Sequence, residues 1–206
     1  MTLPPFYPVL DTALLARRGV STIAAAEALL ETGVKILQYR HKAFFSRAAF
    51  EEASRIAELC RAAKALFVMN DRADFAMLLN AALHLGQDDL PPADARRIMS
   101  PGSIIGFSTH NEQQLRAGDR EPVDYLAIGP IFSTASKENP DPVVGLDRLR
   151  ALRSLTQKPL VAIGGITRQN ALDVFAAGAD SVAVIGDLYP DRAGAEEWLA
   201  ICSSRK

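Results

Sequence analysis

The run Gln38-Tyr39-Arg40-His41-Lys42 sets an amide and two cations at alternate positions. In extended chain, alternate side chains share a face, so Gln38, Arg40 and Lys42 form a plausible clamp for an anion. The bland alternative is a solvated charged loop. Two acidic runs follow, Asn70-Asp71-Arg72 and Gly86-Gln87-Asp88-Asp89, each after an apolar stretch. Carboxylates converging from neighbouring strand ends repel one another, and a cation between them relieves the repulsion. A hard ion such as Mg2+ suits that need, because it takes one or two carboxylates and completes its shell with water and phosphate oxygens. Taken singly, Asp71 could equally cap a helix, and Asp88 or Asp89 could serve a turn. His84 lies between Leu83 and Leu85, a setting that suits a satisfied core histidine better than a metal ligand.

Further along, Gly106-Phe107-Ser108-Thr109-His110 either presents Ser108 and His110 to a ligand or begins a helix at Asn111. The stretch Gly129–Pro140 carries hydroxyls, Lys137 and prolines, and the loop Ser133–Pro142 reads as a lid. Gly164-Gly165 and Ile185-Gly186 put glycine where a backbone N–H can approach a phosphate, or where a turn is merely tight. The inventory is thus two anion sites and one metal site. The cationic one, beside the metal, suits a diphosphate; the amide-rich one suits a monophosphate.

The elements that must position these residues are short apolar runs alternating with amphipathic segments. Strands are expected at Tyr7–Leu10, Ile36–Tyr39, Leu66–Met69, Ala82–Leu85, Ile104–Phe107, Tyr125–Ile128, Leu160–Ile163 and Ser181–Val184. Helical patterns fall between them, at Thr22–Glu31, Arg47–Ala63, Ala73–Asn80, Asn111–Ala117, Asp147–Ser154, Arg168–Ala177 and Ala193–Cys202. Ser21, Ser46 and Thr167 are the expected N-caps, while Gly33, Gly118 and Gly178 are the expected closing residues. Eight such units with short connections imply an α/β fold, a closed (β/α)8 TIM barrel in one domain over residues 1–206. A doubly wound open sheet is the other architecture, but no GxGxxG follows the first strand. In a barrel the chemistry belongs to the loops after the strands, where the residues above stand.

Bulk properties narrow the partners. Lys and Arg total 23 against 24 for Asp and Glu, so no global basic field exists to hold nucleic acid or an acidic membrane. The start lacks the layout of a secretory signal, and no apolar run approaches the ~20 residues of a membrane span. A cytoplasmic enzyme of small phosphorylated molecules is expected, with no obligate protein partner in view. Cys60 and Cys202 read as helix-packing thiols.

In this order, QYRHK at Gln38–Lys42, NDRAD at Asn70–Asp74, HLGQDD at His84–Asp89, GFSTH at Gly106–His110, DYLAIGPIFSTASK at Asp124–Lys137, AIGGI at Ala162–Ile166 and GADSVAVIG at Gly178–Gly186 resemble the thiamine phosphate synthase family. The resemblance spans about Tyr7 to Leu188. It implies a transferase joining hydroxymethylpyrimidine diphosphate to hydroxyethylthiazole phosphate, with thiamine phosphate and pyrophosphate as products. By it, Gln38, Tyr39, Arg40, His41, Lys42, Asn70, Ser108 and Lys137 belong to the pyrimidine diphosphate site. Arg40, Lys42, Ser108 and Lys137 carry the catalysis. Asp71 and Asp89 hold Mg2+, and Thr134, Ala135, Ser136, Gly164, Gly165, Ile185 and Gly186 hold the thiazole phosphate. Pyrophosphate leaves first and the thiazole nitrogen then attacks a pyrimidine-stabilised methylene cation, so no protein nucleophile is needed. One cation 4 Å from an anion, at an effective dielectric of 20, contributes roughly 4 kcal/mol.

The chain departs from the family pattern at two places. Tyr39 stands where phenylalanine or leucine is common, which suits an inward-packed ring. Gly186-Asp187 replaces Ser-Ala, so the Asp187 carboxylate is expected to turn from the phosphate and accept backbone N–H groups ahead of the final helix. The rival readings are a metal-free thiazole tautomerase using a histidine near His110, a non-catalytic binder of thiamine precursors, and an unrelated phosphate-binding barrel. The first lacks paired aspartates, the second needs no leaving-group machinery, and the third needs no two carboxylates beside a cationic clamp.

Overall fold

Eight short parallel strands close on themselves in sequence order: β1 (Phe6–Asp11), β2 (Ile36–Arg40), β3 (Leu66–Asn70), β4 (Ala82–Leu85), β5 (Ile105–Thr109), β6 (Tyr125–Ile128), β7 (Leu160–Ile163) and β8 (Ser181–Val184). The computed structural model describes residues 2–134 and 141–205. The seam is made by β1 against β8, with Phe6, Tyr7 and Pro8 opposite Val182, Ala183 and Val184. The (β/α)8 barrel is therefore the architecture, and no open sheet edge remains.

Alternation along each strand builds two apolar layers. Tyr7, Val9, Ile36, Val68, Tyr125 and Val161 fill the interior. Phe6, Leu10, Leu37, Met69, Leu83 and Leu126 face outward into the shell of helices. The same alternation carries each inward series up to the rim, so Val9 is followed by Asp11, Ile36 by Gln38 and Arg40, and Val68 by Asn70. Strands β2, β3 and β5 run one or two residues past their expected ends. Arg40, Asn70 and Ser108 thus belong to ladders rather than loops.

The helices are α1 (Thr12–Arg17), α2 (Thr22–Glu31), α3 (Arg47–Ala62), α4 (Ala73–Leu79), α5 (Pro92–Ile98), α6 (Glu112–Arg120), α7 (Leu146–Arg153), α8 (Ala171–Ala176) and α9 (Arg192–Ser203). Ser21 and Ser46 cap α2 and α3 as expected, accepting from Ala24 and Ala49 amides. Thr167 does not cap α8. The N-cap is Asn170, whose Oδ1 accepts from the Thr167 amide at 2.8 Å and holds the turn that precedes the helix. Gly33 and Gly178 end their helices with φ of 93° and 103°. Gly118 instead lies inside α6, where a Cβ would come 3.0 Å from Leu126 Cδ2 and 3.1 Å from Phe107 Cδ1. It serves close packing of helix on strand, and the helix continues past it.

Cys60 and Cys202 are both buried, and burial pushes each thiol up to about 12, as packing residues require. Among the described residues, no helix is long and apolar enough to cross a membrane.

Candidate active site

The C-terminal ends of the strands surround a cavity of about 640 Å3 whose lining includes Gln38, Arg40, Lys42, Asn70, Asp71 and Ser108. One half of its rim is charged. Arg40 Nη1 pairs with Asp11 Oδ2 across the β1–β2 ladder, where the two residues lie in register. Asp11 also caps α1, its other oxygen accepting from the Leu14 amide at 2.9 Å. That double engagement fixes the guanidinium at the mouth. Asp11 went unnoticed in the sequence reading, although it ends the first strand at the same face as every other candidate.

Asp71 and Asp89 do converge. Asp71 sits just past β3 at φ 64°, its amide donating to His84 O at 2.8 Å. Asp89 returns through a tight turn, its Oδ2 accepting from the Gly86 amide at 2.6 Å. Burial first, and then the hydrogen-bonded Asp89 carboxyl, raises Asp71 to about 6, while Lys42 opposes the shift. The helix-cap alternative for Asp71 fails, because α4 begins after Arg72 with no side-chain cap. Lys42 Nζ pairs with Asp71 Oδ2, so this carboxylate has a cationic partner that the spacing did not reveal.

Two crowded carboxylates, one with its pKa raised, form a hard-oxygen pair that a divalent ion would relieve. Among the described residues no third such group joins them, so a hard ion held here would need water and phosphate oxygens to complete its shell, which Mg2+ accepts. Asn70 supplies a second observation that fits a polar ligand. Its Nδ2 is buried with no hydrogen-bond partner, the one such side-chain atom among the described residues.

Tyr39 and His41 are turned elsewhere. The Tyr39 ring packs outside the barrel, not inward, and its hydroxyl donates to Glu52 on α3 at 2.8 Å. His41 Nδ1 meets Thr12 Oγ1 at 2.8 Å, and its ring lies against Tyr39 and Phe45. Both follow from the alternation that sends Gln38, Arg40 and Lys42 to the mouth. His84 is a satisfied interior histidine, bonded to Tyr125 Oη and Ser108 Oγ at 2.9 and 2.8 Å. Ser108 is in β5 and faces the cavity. His110 stands at the rim, its Nδ1 donating to Gly129 O at 2.6 Å, while Asn111 caps α6.

The other half of the rim sets glycine turns beside Arg17, Arg18, Thr167 and Asp187. Gly164 and Gly165 have φ of 97° and 64°, and a Cβ on either would strike Pro130 or Ser133 at 2.5 Å. The pair is therefore needed first to let the β6 loop lie against β7. Arg18, at the end of α1, donates to Gly186 O at 2.6 Å and Leu188 O at 2.8 Å, tying the β8 loop down. Thr134 lines the cavity beside Gly164 and Gly186. Ala135, Ser136 and Lys137 lie outside the described residues, as does most of the expected lid.

The sequence model described as thiamine monophosphate synthase matches residues 6–188. The chain belongs to that family. A thiamine-phosphate synthase of Koribacter versatilis is 50% identical over 99% of this chain and 98% of its own length. Another, from Chloroflexus aurantiacus, is 42% identical over 87% of this chain and 82% of its own. The solved thiamine phosphate pyrophosphorylase of Pyrococcus furiosus superposes with a TM-score of 0.85 at 30% identity, covering 97% of this chain and 95% of that one.

Asp187, which also lines the cavity, has different partners from those expected of it. Its Oδ2 accepts from the Arg168 amide at 3.0 Å and from Arg168 Nε at 3.2 Å, ahead of α8. The final helix α9 is capped by Asp191 instead. An engaged carboxylate leaves the Gly186 side of the rim free of an unpaired negative charge.

Proposed function

We propose that the protein condenses hydroxymethylpyrimidine diphosphate with hydroxyethylthiazole phosphate, releasing pyrophosphate and forming thiamine phosphate, with Mg2+ held by Asp71 and Asp89. The observation that carries this reading is one cavity joining the Asp71–Asp89 pair to Arg40, Lys42, Asn70 and Ser108. Bound there, the metal would supply positive charge at the leaving diphosphate. Arg40, preset by Asp11, adds a fixed cation, and Lys42, beside Asp71, is the second side-chain cation within reach of the diphosphate. Groups preorganised in this way stabilise charge without reorganising during the reaction. Gln38 and the unpartnered Nδ2 of Asn70 hold the pyrimidine side. By the family resemblance, Lys137 would serve the diphosphate, and Ala135 and Ser136, with Thr134, the thiazole phosphate.

On the opposite rim, the turns at Gly164-Gly165 and Ile185-Gly186 offer backbone donors to the monophosphate. The route is dissociative: pyrophosphate departs before the thiazole nitrogen attacks, so the reaction asks for no protein nucleophile. The enzyme acts on small phosphorylated molecules in the cytoplasm, without nucleic acid, membrane or obligate protein partner. A metal-free tautomerase has no use for paired aspartates, so the acidic pair favours the transferase.

The test is pyrophosphate release from the two precursors, assayed with and without Mg2+. Release should depend on both the metal and the thiazole phosphate. Asp71→Asn and Asp89→Asn should each abolish most turnover while the far-ultraviolet dichroism stays unchanged. Full activity in EDTA, or in either variant, overturns the metal assignment.

A further inference from the structure

Five side chains, running from the cavity wall through the barrel interior and back to it, are joined in one line. Gln38 Nε2 donates to Tyr7 Oη at 2.9 Å, and the Tyr7 and Tyr125 hydroxyls are 2.9 Å apart. Tyr125 Oη lies 2.9 Å from His84 Nδ1, and His84 Nε2 lies 2.8 Å from Ser108 Oγ. Tyr7, Tyr125 and His84 are all buried, so each interior member finds its partners only within the line.

Such a line has just two polarities. A phenol owns one hydrogen, and a neutral imidazole carries its proton on one nitrogen. With Gln38 donating to Tyr7, the Tyr7 hydrogen passes to Tyr125 and the Tyr125 hydrogen to His84 Nδ1. Nδ1 must then be bare, the proton sits on Nε2, and Nε2–H donates to Ser108 Oγ. The hydrogen of Ser108 is left over for whatever occupies the cavity. With the amide reversed, every bond runs the other way. Ser108 then spends its hydrogen on His84 and presents only lone pairs to an anion.

We propose that this line is a polarity relay, in which Gln38 sets the direction and Tyr7, Tyr125 and His84 are positioning residues that hold Ser108 as a donor to the diphosphate. The proposal deepens the reading of Ser108 as a diphosphate contact and rests on it. A free serine hydroxyl chooses its orientation when ligand arrives, whereas this one is already oriented. The relay also gives Gln38 a second task, since it reaches the leaving group from the opposite side of the barrel.

The decisive measurement is nitrogen-15 NMR of the full chain labelled at histidine, with His84 assigned by its loss in His84→Gln. The expected species carries the proton on Nε2. Gln38→Glu keeps the size of the side chain but can only accept from Tyr7, so it should move the proton to Nδ1. A proton on Nδ1 in the unsubstituted protein, or a tautomer indifferent to Gln38→Glu, overturns the relay.

Calorimetric binding of pyrophosphate with Mg2+ tests the second half. Ser108→Ala should weaken it by roughly tenfold or more, the scale of a hydrogen bond to a charged group. Tyr125→Phe should weaken it several-fold, but not further in the Ser108→Ala background. Equal losses in both backgrounds would make Tyr125 a packing residue and sink the relay. Unchanged affinity in Ser108→Ala, with the proton still on Nε2, removes the diphosphate contact while leaving the polarity in place.

Discussion

Asp71 and His84 are joined by a backbone hydrogen bond of 2.8 Å, yet their side chains respond to acid in opposite senses. Burial, followed by Asp89, raises Asp71 from 3.8 to about 6, so between these values the folded chain binds more protons than the unfolded one. That contribution to stability falls as pH rises through the window. Burial lowers His84 from 6.5 to about 4, so here the unfolded chain binds more protons, and stability is lost as pH falls from 6.5 toward 4. In metal-free buffer, Asp71→Asn should therefore steepen the loss of stability toward acid, and His84→Gln should flatten it. Urea denaturation at several pH values between 4 and 6.5 checks both; parallel profiles for the two variants would contradict the assignment. At this scale the clamp of Gln38, Arg40 and Lys42 was legible, because a period of two needs no tertiary knowledge. Tyr39 and His41 were misplaced by treating a whole motif as one surface when its alternate members face a helix. The Lys42–Asp71 pair was hidden because it joins two strand ends separated by 29 positions.

The strands themselves were easy to read, since each is a short apolar run, and their ends were not. Apolar patterning stops where polar rim residues begin, yet the ladders continue through Arg40, Asn70 and Thr109. Helices α1 and α5, of six and seven residues, are too short to show a period. Their starts were nonetheless marked, by the cap Asp11 and by Pro92 in the first turn. Between strands, Gly106 shows what the pattern cannot convey. A Cβ there would lie 2.0 Å from Tyr125 Cζ and 2.4 Å from its hydroxyl. The glycine on β5 is the space that the β6 tyrosine occupies. Gly106→Ala must push that ring aside, at an overpacking cost of about 1–3 kcal/mol, and must break its bond to His84. The expected result is a matching loss in denaturation free energy together with a fall in turnover. Gly102→Ala, at a φ of 82° with nothing within 4 Å of the added carbon, supplies the comparison. It should carry only the backbone cost, with turnover preserved. Wild-type turnover in Gly106→Ala would show that the tyrosine's position does not matter to the reaction.

At the scale of the molecule, the barrel depends on closing β1 against β8, and the single tryptophan watches that seam. Trp198 on α9 is fully buried, stacks on Phe6 of β1 at 5.2 Å and donates from Nε1 to Asp187 O at 3.2 Å. One ring thus ties the last helix to the first strand and to the rim loop that carries Gly186. If the barrel is one cooperative unit, Trp198 fluorescence and far-ultraviolet dichroism must melt together. A fluorescence transition at lower temperature would mean that α9 peels from the seam before the strands separate. Trp198→Ala leaves a large void and should cost about 3–5 kcal/mol. For a chain of this size each kcal/mol lowers Tm by about 2–4 °C, so a fall of roughly 6–20 °C is expected. Trp198→Phe is the sharper probe, because it keeps much of the stack and loses the bond to Asp187 O. Its Tm should fall much less, while KM for the thiazole phosphate rises as the Gly186 loop loosens. An unchanged KM would show that Arg18, through the Gly186 and Leu188 carbonyls, and Arg168, through Asp187, are enough to hold that loop.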